Sequence, residues 1–195
     1  NLCFQKNPWF KYFTEDLSNI TVKHLESAIS RARELKNYKL LAYLLDINKK
    51  VMFVKHKLPK CLKIYNSIFT QVSVVGKFPS QDTSGVIPLH TDEKDVISCV
   101  FTVGTLTNGG STSYYDGLST EKKGKVILDI PFNHGRLQIG CYSKILHKVN
   151  KWEGNRITMN FNIKGNIVNH FETFGDYYFK QYEDNGYPSG LFVAN

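Results

Sequence analysis

A mainly β chain backed by N-terminal helices is the fold class this sequence predicts, and three observations point to it. Apolar residues in the first third of the chain recur at helical spacing. From Gln71 onward the texture changes to short runs of Val, Ile, Thr, Tyr and Phe separated by Gly, Asn, Asp and Pro turns. No linker, internal repeat or low-complexity tract divides the two parts. At 195 residues and 42% hydrophobic the chain is long enough for one well-filled core, so a single domain is expected. Its parts are supporting helices over 1–70, a barrel core over 71–164 and a C-terminal extension over 165–195.

Thr21 to about Asn37 reads as an amphipathic helix. Val22, Leu25, Ile29, Ala32 and Leu35 recur at three- and four-residue steps, while Lys23, Arg31, Arg33 and Glu34 fall elsewhere. Lys39 to Ile47 continues as helix or turns into a buried segment, and periodicity alone does not decide between them. Val51–Val54 reads as a short strand, and Leu58-Pro59 opens a second helix running to about Phe69. The candidate strands beyond it are Gln71–Val75, Ile87–His90, Val96–Val103, Ser111–Tyr115, Lys125–Ile130, Arg136–Tyr142, Ile145–Val149 and Arg156–Ile163. Eight strands in so short a stretch suit a double-stranded β-helix, the jelly-roll barrel of cupin type. After Asn169 an aromatic-rich run (HFETFGDYYFKQY) reads as a closing helix before a Gly/Pro-containing end.

Composition excludes some function classes. The longest apolar stretches, such as Leu40–Leu45 and Val72–Val75, are far too short to cross a bilayer, so no membrane partner is expected. No signal peptide is visible, although the sequence starts without Met. Cys3, Cys61, Cys99 and Cys141 are scattered, with no CxxC pair and no zinc-type cluster. They read as reduced thiols, and the expected location is cytoplasmic or nuclear. The net charge of +8 is uneven: Ile20–Lys63 holds eleven Lys/Arg against three acids, and the rest of the chain is balanced. This basic segment is either a footprint for nucleic acid or the solvated face of helices behind the core.

The chemistry starts at His90-Thr91-Asp92. Residues i and i+2 of a strand point to the same face, so this spacing aims an imidazole and a carboxylate at one point. A second imidazole must come from elsewhere, and His147 sits on a late strand in KILHKV. Two His and one carboxylate on one face of a metal leave the opposite face open, which suits non-haem iron(II). Nine residues after His147, Arg156 opens the strand RITMNFNI. A guanidinium fork there suits bidentate recognition of a buried carboxylate, and Thr158 shares its strand face. His134 is the rival for the distal ligand, but no basic residue lies beyond it at the corresponding distance. His24, His56 and His170 lie outside the barrel pattern.

These residues carry a family resemblance. HTD, a distal His about fifty-five residues later and an Arg nine residues beyond it look like the Fe(II)/2-oxoglutarate dioxygenase superfamily. The stretch GGSTSYY, from Gly109 to Tyr115, resembles the glycine-glycine-x-threonine motif of the prolyl-hydroxylase-like branch. The likeness covers roughly Gln71 to Lys164, about half the chain. It implies that His90, Asp92 and His147 bind Fe(II), that Arg156 and Thr158 hold the distal carboxylate of 2-oxoglutarate, and that Thr112 and Tyr114 point into the barrel beside it. O2 would be the second cosubstrate and ascorbate an accessory reductant. Where that branch often uses a tyrosine on the strand after HxD, this chain has Phe101-Thr102, and Tyr142 or Tyr114 is the candidate replacement. No catalytic residue beyond the metal centre is implied.

The activity implied is hydroxylase chemistry: decarboxylation of 2-oxoglutarate to succinate coupled to hydroxylation of a C–H bond, foremost in a protein or peptide residue. Oxidation or demethylation of a nucleic-acid base is the alternative that the basic segment 20–63 keeps open, and a small-molecule substrate is third. If those cations line the barrel entrance they favour nucleic acid; if they lie on the rear they favour protein. An alternative of another class is a non-catalytic cupin-like barrel that binds a ligand or metal without turnover.

Overall fold

The computed structural model describes residues 8–77, 85–116 and 124–185, with side chains described as far as residue 175 except those of Cys61 and Lys77. Cys3 and the Gly/Pro-containing end lie outside these residues. Helix α1 (Pro8–Glu34) buries Phe10, Thr14, Leu17, Thr21, Leu25, Ile29 and Ala32, a stripe at three- and four-residue steps. It starts well before Thr21 because Phe10, Thr14 and Leu17 continue that stripe. Lys36 turns into the left-handed region at φ +53° and ends the helix. Asn37 caps the next one, its side chain accepting from the Leu40 N–H at 3.1 Å.

Helix α2 (Tyr38–His56) settles the Lys39–Ile47 segment as helical and overturns the strand expected at Val51–Val54. Leu44, Ile47, Val51 and Val54 are buried at steps of three and four, so packing against α1 overrides the strand preference of valine. The helix expected from Leu58 to Phe69 shrinks to one 3-10 turn at Lys60–Leu62. Beyond it Tyr65 takes φ +53°, and the Ile64 N–H donates to the Phe69 carbonyl at 2.8 Å, closing a loop instead.

Seven antiparallel strands come next: β1 (Gln71–Lys77), β2 (Gly85–His90), β3 (Asp95–Gly109), β4 (Thr112–Tyr115), β5 (Val126–Ile130), β6 (Arg136–Gly140) and β7 (Leu146–Lys164). The two strands expected at Ile145–Val149 and Arg156–Ile163 are one 19-residue strand, β7. Its first part lies between β2 and β4, and its second part between β1 and β3. β5 extends the sheet beyond β4, and β6 beyond β3. Helix α3 (Gly165–Asn185) leaves directly from the end of β7.

The second half of β7 has two unlike faces. Phe161 and Ile163 share one with their cross-strand partners Cys99 and Ile97. That face is covered by α1, whose Phe10 and Phe13 rings lie 6.1 and 6.0 Å from Phe161, and it forms the core with Val51 and Val54 of α2. Arg156, Thr158, Asn160 and Asn162 alternate onto the other face, opposite Gly104, Thr102, Val100 and Ser98. The basic helices therefore lie behind the sheet relative to Arg156. Among the described residues no helix is long and apolar enough to cross a membrane.

Candidate metal centre

Strand pairing brings His90 and His147 together. They are register partners at the ends of β2 and β7, with ring centroids 4.3 Å apart. Asp92 sits two residues past His90, where the backbone has left β2. Its N–H donates to the Tyr142 carbonyl at 3.1 Å, which folds the carboxylate back over the two rings. His90 Nε2 lies 3.4 Å from Asp92 Oδ1, and His147 Nε2 lies 3.9 Å from Asp92 Oδ2. One ligand atom from each residue falls within 4.8 Å of the others, so the group could hold a metal ion.

The far side of each ring is already engaged. His90 Nδ1 lies 2.7 Å from the Pro88 carbonyl, and His147 Nδ1 lies 2.9 Å from that of Ile145. A carbonyl can only accept, so in the neutral rings both Nδ1 atoms carry the proton. Both Nε2 lone pairs are left for a cation, the outer-shell arrangement that fixes metal-binding histidines. In the protonated ring Nε2–H donates to Asp92, which raises the His90 pKa, and the same bond holds Asp92 below the ordinary carboxylate range, helped by the charges of His147, His90 and Lys164. Burial pushes His147 down, favouring the neutral, ligating form.

Arg156 lies further along the same strand, buried at 4% exposure. Its Nε donates to Thr158 Oγ1 at 3.3 Å and its Nη1 to the Gly110 carbonyl at 3.2 Å. The guanidinium also rests on the Trp152 ring at 5.1 Å and near Phe132 at 5.9 Å. Among the described residues no carboxylate pairs with it, and burial alone pushes its pKa down to about 10. A buried cation without a counter-ion costs several kcal/mol. Gly110 is fixed in this role by its backbone: φ is +80°, and a Cβ there would come within 2.4 Å of Leu106.

Thr112 is buried opposite Val149, on the same face of β4 as Tyr114. Tyr114 and Tyr142 lie beside the distal histidine, at ring distances of 6.0 and 5.1 Å from His147. The Tyr114 hydroxyl donates to Gln138 Oε1 at 2.5 Å and lies 3.4 Å from that of Tyr142. Of the pair Phe101-Thr102, Phe101 packs edge-on against Phe13 on the helix side. Thr102 faces the other way, opposite Thr158, and its buried hydroxyl has no partner among the described residues. Trp152 Nε1, Asn160 Oδ1 and Asn162 Oδ1 are in the same condition. None of these four was a candidate site residue from the sequence; for Asn160 and Asn162 the signal was their two-residue alternation with Thr158 in RITMNFNI.

His134 is not part of the group: it is exposed, with Nδ1 at 3.2 Å from the Gly104 N–H. His24 and His56 lie on α1 and α2, and His170 lies on α3 against Phe174. Cys99 and Cys141 are free thiols, and burial pushes Cys99 up to about 12. A cavity of about 440 Å³ opens beside Tyr114 and Tyr142, walled by Ile127, Leu128, Ile139 and Ile145.

No family model and no curated protein matches the chain. A chain from the structure described as "Bacillus endospore appendages form a novel family of disulfide-linked pili" is similar at 12% identity and a TM-score of 0.22, over 48% of this chain and 92% of that one.

Proposed function

We propose that this chain is an Fe(II)- and 2-oxoglutarate-dependent dioxygenase that hydroxylates a C–H bond in a protein or peptide residue, on a double-stranded β-helix scaffold. One observation carries the reading: a single strand, β7, supplies both an imidazole of a three-ligand cluster and a buried guanidinium with no carboxylate partner among the described residues. The strand pairing supports the scaffold. Within the one sheet, β1, β3 and β6 gather on the later part of β7, and β2, β4 and β5 on its first part. The chain alternates between these two groups of strands, an order compatible with the proposed jelly-roll winding.

The donor set fits the metal. Two imidazole nitrogens and one carboxylate oxygen are the ligands that suit non-haem iron(II), with positions left for other ligands. His90, Asp92 and His147 would hold the ion, and Arg156 with Thr158 would grip the distal carboxylate of 2-oxoglutarate. The Thr102 hydroxyl, opposite Thr158 and without a partner among the described residues, would serve the same carboxylate where the resembled branch often has a tyrosine. Thr112, Tyr114 and Tyr142 would line the cosubstrate, and their aromatic surface excludes water. When bound, iron would supply activation of O2, the four-electron oxidant, two electrons coming from decarboxylation of 2-oxoglutarate to succinate and carbon dioxide and two from the C–H bond, with one oxygen atom entering succinate and one the hydroxylated product; ascorbate would serve to keep the iron reduced.

Two features support a protein substrate. The helices that carry the basic segment cover the Phe161 face of the sheet, opposite the face of Arg156. The cavity beside Tyr142 is mostly apolar, with Arg136 and Gln138 as its polar edge, and suits a side chain of a protein substrate. The test is titration with Mn(II), and then with N-oxalylglycine, monitored by electron paramagnetic resonance. Wild type should bind both, and with Fe(II) and 2-oxoglutarate should make succinate slowly without substrate. His147→Ala should lose metal binding and succinate alike. Undiminished Mn(II) binding in that variant, or none in wild type, would sink the reading.

A further inference from the structure

The loop that delivers Asp92 is braced from behind. Asp95 opens β3 opposite Lys164, the last residue of β7. Its side chain is 1% exposed, and Oδ1 lies 2.5 Å from Lys164 Nζ, a contact held by charge more than by hydrogen-bond direction. Ser98 Oγ donates to the other carboxylate oxygen at 3.3 Å.

The backbone of the same segment is tied at four points. The Asp95 N–H donates to the Asp92 carbonyl at 3.2 Å, and the Asp92 N–H to that of Tyr142 at 3.1 Å. Ser143 Oγ donates to the Asp95 carbonyl at 2.7 Å, and the Gly165 N–H to that of Lys94 at 2.6 Å. Lys94 takes φ +70°, a conformation a lysine adopts only when its surroundings enforce it.

An apolar pair at Asp95 and Lys164 would fold at least as well, because burying two charges costs about what their attraction returns. What an ion pair adds is a fixed register. Here that register sets where Asp92 stands relative to His90 and His147, since only two residues separate Asp92 from the clamped position.

We propose that Asp95 and Lys164 are positioning residues for the metal site: their ion pair locks the Asp92 loop and raises metal affinity without touching the metal. This rests on the metal-site reading of His90, Asp92 and His147. Partners beyond the ligand set commonly contribute ten- to a hundredfold in affinity.

The experiment is the Mn(II) dissociation constant measured by electron paramagnetic resonance, beside thermal melts of the metal-free proteins. Lys164→Met should weaken Mn(II) roughly ten- to a hundredfold, and Lys164→Arg, which keeps the charge, should restore most of it. Because Lys164→Met strands a buried carboxylate, the neutral pair Asp95→Asn/Lys164→Met is measured too, and should melt cooperatively yet bind Mn(II) as weakly. Ser143→Ala removes one tie and should give a smaller loss in the same direction. Wild-type affinity in the neutral pair, or in Lys164→Met with only the melt lowered, makes the brace purely structural and overturns the proposal. Failure of the wild type to bind Mn(II) overturns the metal-site reading instead, which is how the two failures are told apart.

Discussion

The two faces of β7 obey different rules. On one, Phe161 and Ile163 are fully buried against α1 and α2, with the Phe69 ring 5.5 Å from Phe161. On the other, Arg156, Thr158, Asn160 and Asn162 stand in a row, and the amide oxygens of the two asparagines are without a partner among the described residues. A fold that only needed stability would have filled both faces with apolar side chains, since each buried polar atom without a partner costs about 1–3 kcal/mol. The difference separates a side of the strand that holds the molecule together from a polar side that, under the proposed function, would face the cosubstrate. Substitutions on the two faces should then separate stability from binding.

The largest effect on stability is expected from the packed face. Phe161→Ala removes a ring that touches Phe10, Phe13 and Phe69, and should cost about 3–5 kcal/mol in urea unfolding. Mn(II) affinity of the fraction that remains folded should be nearly unchanged. A loss of affinity as large as the loss of stability would mean that the two faces are coupled, and the comparison would fail.

The inner face should respond in the opposite way. Arg156→Met removes a buried charge that no carboxylate offsets among the described residues, so the melting temperature should hold or rise. Binding of N-oxalylglycine to the Mn(II) form should fall by about ten- to a hundredfold, the worth of roughly 1.5–3 kcal/mol for hydrogen bonds to a charged group. Titration of the two proteins under one set of conditions checks both halves. Equal affinity for the dicarboxylate would remove Arg156 from the binding role, and a strongly lowered melt would make it structural.

How much of this was legible beforehand differs between the same two faces. Alternation located each strand of the sheet, because period two is enforced wherever one side is buried, but it ended β3 at Val103 where the strand runs to Gly109. It broke β7 in two because Gly154 and Asn155 look like a turn; in the fold Gly154, at φ +100°, lets the ladder continue past Thr105 and Leu106. The strand expected at Val51–Val54 failed because β-branched residues at helical steps pack as well on a helix neighbour. At the site, HTD, His147 and Arg156 could be picked out by spacing. The ties behind them could not: Asp95 and Lys164 are 69 residues apart, and only the β3–β7 register joins them.

The smallest effect expected lies in the pair His90–Asp92 of the metal-free protein. The raised His90 pKa contributes stability fully below the ordinary histidine value, near 6.5, and loses it as pH rises through the raised value. The lowered Asp92 pKa contributes above the ordinary carboxylate value, near 3.9, and loses it as pH falls through the lowered one. Both contributions overlap between about pH 4 and 6.5. Because His90 is 35% exposed, solvent screening leaves only a few tenths of a kcal/mol. Urea unfolding of wild type and His90→Ala at mildly acidic pH, and well to either side, should show the gap widest in the middle. A gap that does not vary with pH would mean that the pair carries no net charge energy without its metal. His147, pushed down by burial, has the opposite sign: it is destabilising to protonate, so acid should loosen this end of β7 even where the His90–Asp92 pair is strongest.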